Sequence, residues 1–190
     1  MILSQEICSR YTDAELVKLS ATDMDYFSCI FQRYEIPLLR YIQKITMAEE
    51  QVAEDILQDA FVKIWKNIHS YRSDIKLSSW LYRIVHNEAI SYWRRSRVRG
   101  GGRTELLSEA NTSWLKEDLE SANETNQNLN DAIYSLEDKY REVLVLRYLE
   151  EKSYEEISDI LKIPEGTVAI RLSRAKNLLK QSFQKRQNHP

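Results

Sequence analysis

Glycine and proline are scarce in this chain: four and three among 190 residues. With long stretches of 3.6-residue periodicity, that scarcity leaves little room for a turn-rich fold and predicts a nearly all-helical protein. Three glycines form the run Gly100-Gly101-Gly102, and the fourth, Gly166, sits in the stretch IPEGTVAIRLSRAK, residues 163–176. Each glycine marks a place where the backbone is expected to leave regular helix. Cysteine is nearly absent too: Cys8 and Cys29 fall in helix-like sequence with no partner spacing, which predicts buried or inert thiols rather than a disulfide or a redox switch. The three histidines, His69, His86 and His189, are dispersed, so no His/Cys cluster has metal spacing. Nothing resembles a phosphate-cradling glycine loop. Catalysis, a metal and an organic cofactor are therefore not expected. No apolar run reaches the roughly 18 residues of a membrane span. The N-terminal residues MILSQEICSRYTDAEL lack the basic start and apolar core of a signal peptide. A cytoplasmic protein without membrane insertion is expected.

A large net charge is missing as well, since the formal total is −2. The total hides strong segregation. Residues 1–70 carry −4, residues 71–103 carry +6, residues 104–131 carry −6, residues 132–161 carry −4 and residues 162–190 carry +6. For an anionic ligand the local field matters more than the sum, so the two basic blocks are candidate surfaces for nucleic acid.

Periodicity divides the chain into two small helical domains joined by a flexible acidic linker: residues 1–99, 100–130 and 131–190. In the first domain Leu57, Ala60, Phe61 and Ile64 form one apolar stripe, and Leu81, Val85, Ala89 and Trp93 or Tyr92 form another. Residues 69–79 between them break the pattern and predict a loop. The segment 100–130 is polar and Asn/Ser-rich, a poor core former. In the second domain, apolar positions over 133–149 fit one helix or two. A short helix over 154–161 follows, with Ser153 and Glu156 spaced as a capping box. A KIPEG turn and a last helix to about Phe183 complete a helix-turn-helix.

At about 100° per residue, Val168, Leu172, Ala175 and Leu179 form the buried side of that last helix. Ile170, Ser173, Arg174 and Asn177 lie opposite, flanked by Thr167, Ala169 and Arg171. Arginine can bond guanine edges in the major groove, and small apolar groups can touch the thymine methyl. The helix N-terminus at Gly166-Thr167 offers N–H groups to a phosphate. A solvated basic helix is the plainer alternative. In the first domain Trp80, Arg83, Asn87, Ser91 and Arg94 share one side of a helix, preceded by Tyr71, Arg72 and Lys76 in the loop. Aromatic rings interleaved with guanidiniums suit unpaired bases, and stacking contributes about 1–3 kcal/mol per base. The alternative is a core Trp80 with ordinary surface arginines. Opposite the apolar stripe of the helix over 53–67 stand Asp55, Gln58, Asp59, Val62 and Lys66, either a solvated face or a protein-docking one. The abundant acidic residues read as solvated helix faces.

Taken in order, AEDILQDAFVKIW, SSWLYRIVHNEAISYWRR and KYREVLVLRYLEEKSYEEISDILKIPEGTVAIRLSRAKNLL resemble the extracytoplasmic-function (ECF) group of bacterial RNA polymerase sigma factors. The resemblance runs from about Leu16 to Leu179. It implies a non-catalytic subunit whose first domain binds the clamp helices of core polymerase and opens the minus-10 element, and whose second domain binds the minus-35 element as duplex. Asp55, Gln58 and Asp59 match the polymerase-binding helix, Tyr71 and Arg72 the loop that captures a flipped base, Trp80 and Asn87 the helix behind it, and Thr167, Arg171 and Arg174 the recognition helix. An anti-sigma factor is an implied partner. Ala169-Ile170 replace the usual basic or polar residue and serine, and Lys162 stands where a turn glycine is usual. The resemblance therefore implies a minus-35 preference unlike the commonest one, and because a lysine forced into left-handed geometry would cost about 1 kcal/mol, a turn slightly different from the usual one. The rival reading is a helix-turn-helix regulator with an N-terminal protein-interaction module.

Overall fold

The computed structural model describes residues 3–98 and 132–187, and every regular element among them is helical. The expected linker, with its glycine run, lies outside the described residues. Helices α1 (Gln5–Cys8), α2 (Asp13–Ser20), α3 (Met24–Thr46), α4 (Glu50–Asn67) and α5 (Leu77–Val98) form the first domain, with a 3-10 turn over Ile68–Ser70. Thr12 opens α2 with a capping box: its hydroxyl accepts the Glu15 N–H, and the Glu15 carboxylate accepts the Thr12 N–H at 2.7 Å. Asp23 opens α3 by accepting the Asp25 N–H at 2.9 Å. Pro37 inside α3 costs that helix a hydrogen bond, yet the helix continues because Leu38, Tyr41 and Ile42 on the next turn are fully buried.

Helices α3, α4 and α5 pack on one another around the expected stripes, with Ala60, Ile64, Leu81, Val85 and Ala89 closed to solvent. Phe27 and Phe31 of α3 meet Phe61 of α4 with ring centroids 6.3 and 4.6 Å apart. The structure corrects the reading of the cysteines. Helix α1 folds back over α3, and Cys8 and Cys29 form a disulfide with Cα atoms 5.1 Å apart. The pairing is tertiary, across 21 residues, so no sequence spacing announces it.

In the second domain α6 (Asp138–Leu144) runs on through a π-helical turn (Val145–Leu149), followed by α7 (Tyr154–Leu161) and α8 (Glu165–Gln187). Val143, Leu146, Ile157, Ile160, Val168 and Leu172 are its core. The Ser153–Glu156 capping box forms, with the Ser153 N–H donating to the Glu156 carboxylate at 2.8 Å. The expected turn follows. Ser158 Oγ donates to the Ile163 carbonyl at 2.7 Å, and the left-handed residue is Lys162, at φ 54° and ψ 47°. Gly166 by contrast lies inside α8, with open space where a Cβ would stand. The expectation that every glycine marks a break therefore fails there. Among the described residues no helix is long and apolar enough to cross a membrane.

A side chain in left-handed geometry costs about 1–2 kcal/mol. The partly exposed Lys162–Asp159 pair, at 3.9 Å, offsets little of it. Lys162→Gly is expected to raise stability by about 1 kcal/mol in urea unfolding, and an unchanged midpoint would show that the turn carries no such strain.

Candidate nucleic-acid interface

Helix α8 is a direct product of its periodicity. Val168, Leu172 and Ala175 are buried against α6 and α7, and the opposite side stands in solvent: Ile170 is 54% exposed, and Ser173, Arg174 and Asn177 are exposed with it. Thr167, Ala169 and Arg171 are half-buried at the flanks. One expectation is corrected here. The Thr167 N–H donates to the Pro164 carbonyl at 2.8 Å, so it is engaged within the turn rather than offered to a phosphate.

In the first domain the structure gathers some of the expected residues and separates others. Trp80, Arg83 and Asn87 line an open cleft of about 310 Å³ together with Lys63, Asn67, Ser70, Ile84 and Glu88. Trp80 is only 5% exposed, so it is a wall of this cleft and not a free-standing platform, and its ring meets Tyr71 edge-on at 5.6 Å. Tyr71 is itself tied down, its hydroxyl donating to the Ile75 carbonyl at 2.7 Å. Arg72 stays exposed near Asp74, at 3.7 Å. Lys63 and Asn67 were not legible as cleft residues because α4 and the 3-10 turn meet α5 only in the fold. Lys63 binds Glu88, 25 residues away, at 2.5 Å.

On α4, Asp55, Gln58, Asp59, Val62 and Lys66 are all exposed along one stripe, with Val62 at 51%. A single exposed β-branched side chain is ordinary surface by itself, so the stripe is a solvated face or a docking face on this geometry alone.

Lys76 faces the other domain, where α5 packs on α7, and the exposed Arg94 lies close enough to Glu142 and His86 to influence their protons. Lys76 Nζ is 3.1 Å from the Glu156 carboxylate, the same group that closes the α7 capping box. Tyr82 donates from its buried hydroxyl to Glu150 at 2.6 Å, Lys44 approaches Glu150 at 4.0 Å, and the Lys152 ammonium lies 4.4 Å from the centre of the Tyr82 ring. Glu150 and Glu156 are thus contact residues, and Glu142 is largely withdrawn from water, so none of the three is the solvated face the sequence suggested. Burial raises the Glu142 pKa to about 7, assisted by Asp138 and opposed by Arg171, Arg141 and Arg94. Burial holds the His86 pKa down at about 4, with Arg94 adding to the effect, and the ring is hydrogen-bonded to the Tyr41 hydroxyl at 2.9 Å.

Comparison with known proteins agrees with this geometry. Residues 30–99 match the Sigma-70 region 2 family and residues 126–179 match Sigma-70, region 4. The chain is 33% identical over 170 residues to the ECF RNA polymerase sigma factor SigW of Bacillus subtilis, covering 85% of this chain and 90% of that one. It is 29% identical over 189 residues to the ECF RNA polymerase sigma-E factor of Escherichia coli, covering 91% and 95%. Its fold is similar to that of CnrH in complex with the cytosolic domain of CnrY (TM-score 0.69, 20% identity, 91% and 97% covered). It is also similar to that of the sigma factor RpoE in complex with the anti-sigma factor NepR from Bartonella quintana (TM-score 0.62, 22% identity, 82% and 96% covered).

Glu142 binds its proton more tightly folded than unfolded. Its contribution to stability is therefore present below pH 4.5 and lost as pH rises through about 7. His86 runs the other way, contributing above pH 6.5 and losing its contribution as pH falls through about 4. Glu142→Gln removes the loss on the alkaline side. Its urea stability relative to the native chain is expected to climb by about 2–3 kcal/mol between about pH 5 and pH 8, and a flat difference would show that Glu142 titrates normally.

Proposed function

This chain belongs to the ECF sigma factors of bacterial RNA polymerase, and we propose which of its residues make the contacts that such a subunit requires. It is a non-catalytic subunit that directs polymerase to promoters, with region 2 acting in melting and region 4 in DNA binding. Residues 1–99 are the polymerase-binding and minus-10 domain, 100–130 the linker and 131–190 the minus-35 domain. The observation that carries this reading is the exposed side of α8, which presents Ile170, Ser173, Arg174 and Asn177 beyond a capped and closed turn. Thr167, Ala169 and Arg171 complete that face, and Gly166 leaves the backbone at its start approachable.

The cleft at Trp80, Arg83 and Asn87 takes an unpaired base of the minus-10 element. Its volume of about 310 Å³ admits one base, and its walls offer an indole, a guanidinium and two amides. Tyr71 packs edge-on against Trp80 and Arg72 stays exposed in the same loop, while Lys76, once released from Glu156, and Arg94 supply charge for the backbone. The α4 stripe of Asp55, Gln58, Asp59, Val62 and Lys66 docks the clamp helices of the largest polymerase subunit. An anti-sigma factor is a partner on the analogy of the RpoE–NepR complex, and work with polymerase implies a cytoplasmic protein.

Ile170 projects straight away from the buried side, where no core uses it, and supplies an apolar contact to a thymine methyl or a sugar edge of the minus-35 element. Run-off transcription with purified core polymerase is expected to give promoter-dependent starts. Duplex binding without starts would instead favour a helix-turn-helix regulator. Arg174→Ala is expected to weaken promoter recognition by about 1–3 kcal/mol, whereas equal losses on all sequences would make it a phosphate contact. A selection over randomised minus-35 sequences is expected to separate the native chain from Ile170→Ser, and identical preferences would remove Ile170 from the readout.

A further inference from the structure

Helix α1 contributes to none of these surfaces, yet it is tied down on every side. Its Cys8 is bonded to Cys29 of α3. The Leu3 N–H donates to Ser28 Oγ at 3.3 Å, Gln32 donates to the Leu3 carbonyl at 2.8 Å, and Arg33 donates to the carbonyls of Cys8 and Tyr11 at 2.9 and 2.8 Å. A cavity of about 140 Å³ reaches both cysteines, walled by Gln5, Ser9, Gln32 and Arg33. A sigma factor meets polymerase in a reducing compartment, where protein disulfides are mostly transient and sensing or catalytic. We propose that Cys8 and Cys29 are a reversible thiol–disulfide pair, closed by exchange with a low-molecular-weight disulfide entering through the Arg33 cavity, which latches α1 onto the polymerase-binding domain. The proposal rests on the sigma-factor reading only for its compartment.

Each step balances. Cys8 is 5% exposed and Cys29 is closed to solvent, so the Cys8 thiolate attacks one sulfur of the small disulfide. That S–S bond breaks, a mixed disulfide forms on Cys8, and the departing thiolate takes up the proton Cys8 released. The Cys29 thiolate then attacks the Cys8 sulfur and expels the second small thiolate, which takes up the proton from Cys29. Two electrons pass from the protein thiols to the small disulfide, which leaves as two thiols. Arg33 favours the thiolates as a cation at the cavity wall, although it shares its charge with Asp13 at 2.5 Å. Its backbone bonds, together with those of Leu3, do not depend on the bridge. They favour a position of α1 in which the two sulfurs are within reach of each other, and the bridge then fixes it there. Phe27 and Phe31 turn one side of α3 to Phe61 and Trp65 of α4, and Cys29, two residues from each, faces the other side, so the bridge ties α1 to the back of the helix that carries this aromatic layer.

The full chain is equilibrated in reduced and oxidised glutathione at varied ratio, quenched by alkylation and weighed. A single transition between two free thiols and none is expected, with Tm about 10 °C lower in the reduced form. Cys8→Ser/Cys29→Ser is expected to fold with a Tm indifferent to glutathione, and Cys29→Ser to trap one glutathione on Cys8 faster than Cys8→Ser traps one on Cys29. Thiols that stay free at every ratio would overturn the proposal, as would a bridge that survives full reduction or a Tm shift that persists in the double variant. Run-off transcription on both redox forms separates the two readings: starts absent from both would sink the sigma assignment and leave the thiol result standing.

Discussion

The hydrogen bond from Tyr82 to Glu150 is the constraint on which the arrangement of the two domains depends. Tyr82 is 2% exposed, and a phenol buried that deeply needs a partner for its hydroxyl. The partner comes from the other domain, 68 residues along the chain. Burial and the facing carboxylate push the Tyr82 pKa up, so the hydroxyl stays a donor, and Lys44 and Lys152 surround the pair with positive charge. The domain contact thus combines polar pairs with apolar packing, because the buried residues of both domains form one continuous hydrophobic cluster. Opening it would leave the buried Tyr82 hydroxyl in need of a new partner.

The same contact explains the charge segregation along the chain. The basic block over 71–103 and the acidic block over 132–161 carry +6 and −4, and among the described residues α5 packs on α7 with Lys76 facing Glu156. Lys76 is held by Glu156, and Arg94 lies close enough to Glu142 to influence its proton. Lys76 is largely exposed in this pair, so its ammonium also stands open to solvent. Opposite charge from the two blocks thus meets at the rim of the domain contact.

What was legible in the sequence was local. Helix α7, its capping box and the buried side of α8 are all set within a few residues by hydrogen-bond satisfaction and 3.6-residue periodicity. What was not legible depends on groups far apart in sequence. Cys8 and Cys29 meet because α1 folds back, Lys63 and Glu88 because α4 crosses α5, and Glu156 and Lys76 because the domains touch. Trp80 shows the boundary between the two cases. Its place on the arginine stripe could be read from spacing, but its burial depends on where the Tyr71 loop turns back.

Helix α5 joins these levels because it presents three faces to three environments. Leu81, Val85 and Ala89 point into the core, Trp80, Arg83 and Asn87 into the cleft, and Tyr82 and His86 toward the buried hydroxyl of Tyr41 and the second domain. At 3.6 residues per turn these faces are fixed relative to one another, so α5 cannot rotate to improve one without moving the others. The walls of the cleft, Trp80 and Asn87, therefore sit on the same element as Tyr82. The cleft and the domain contact are joined through one helix, and the sequence of α5 must satisfy both.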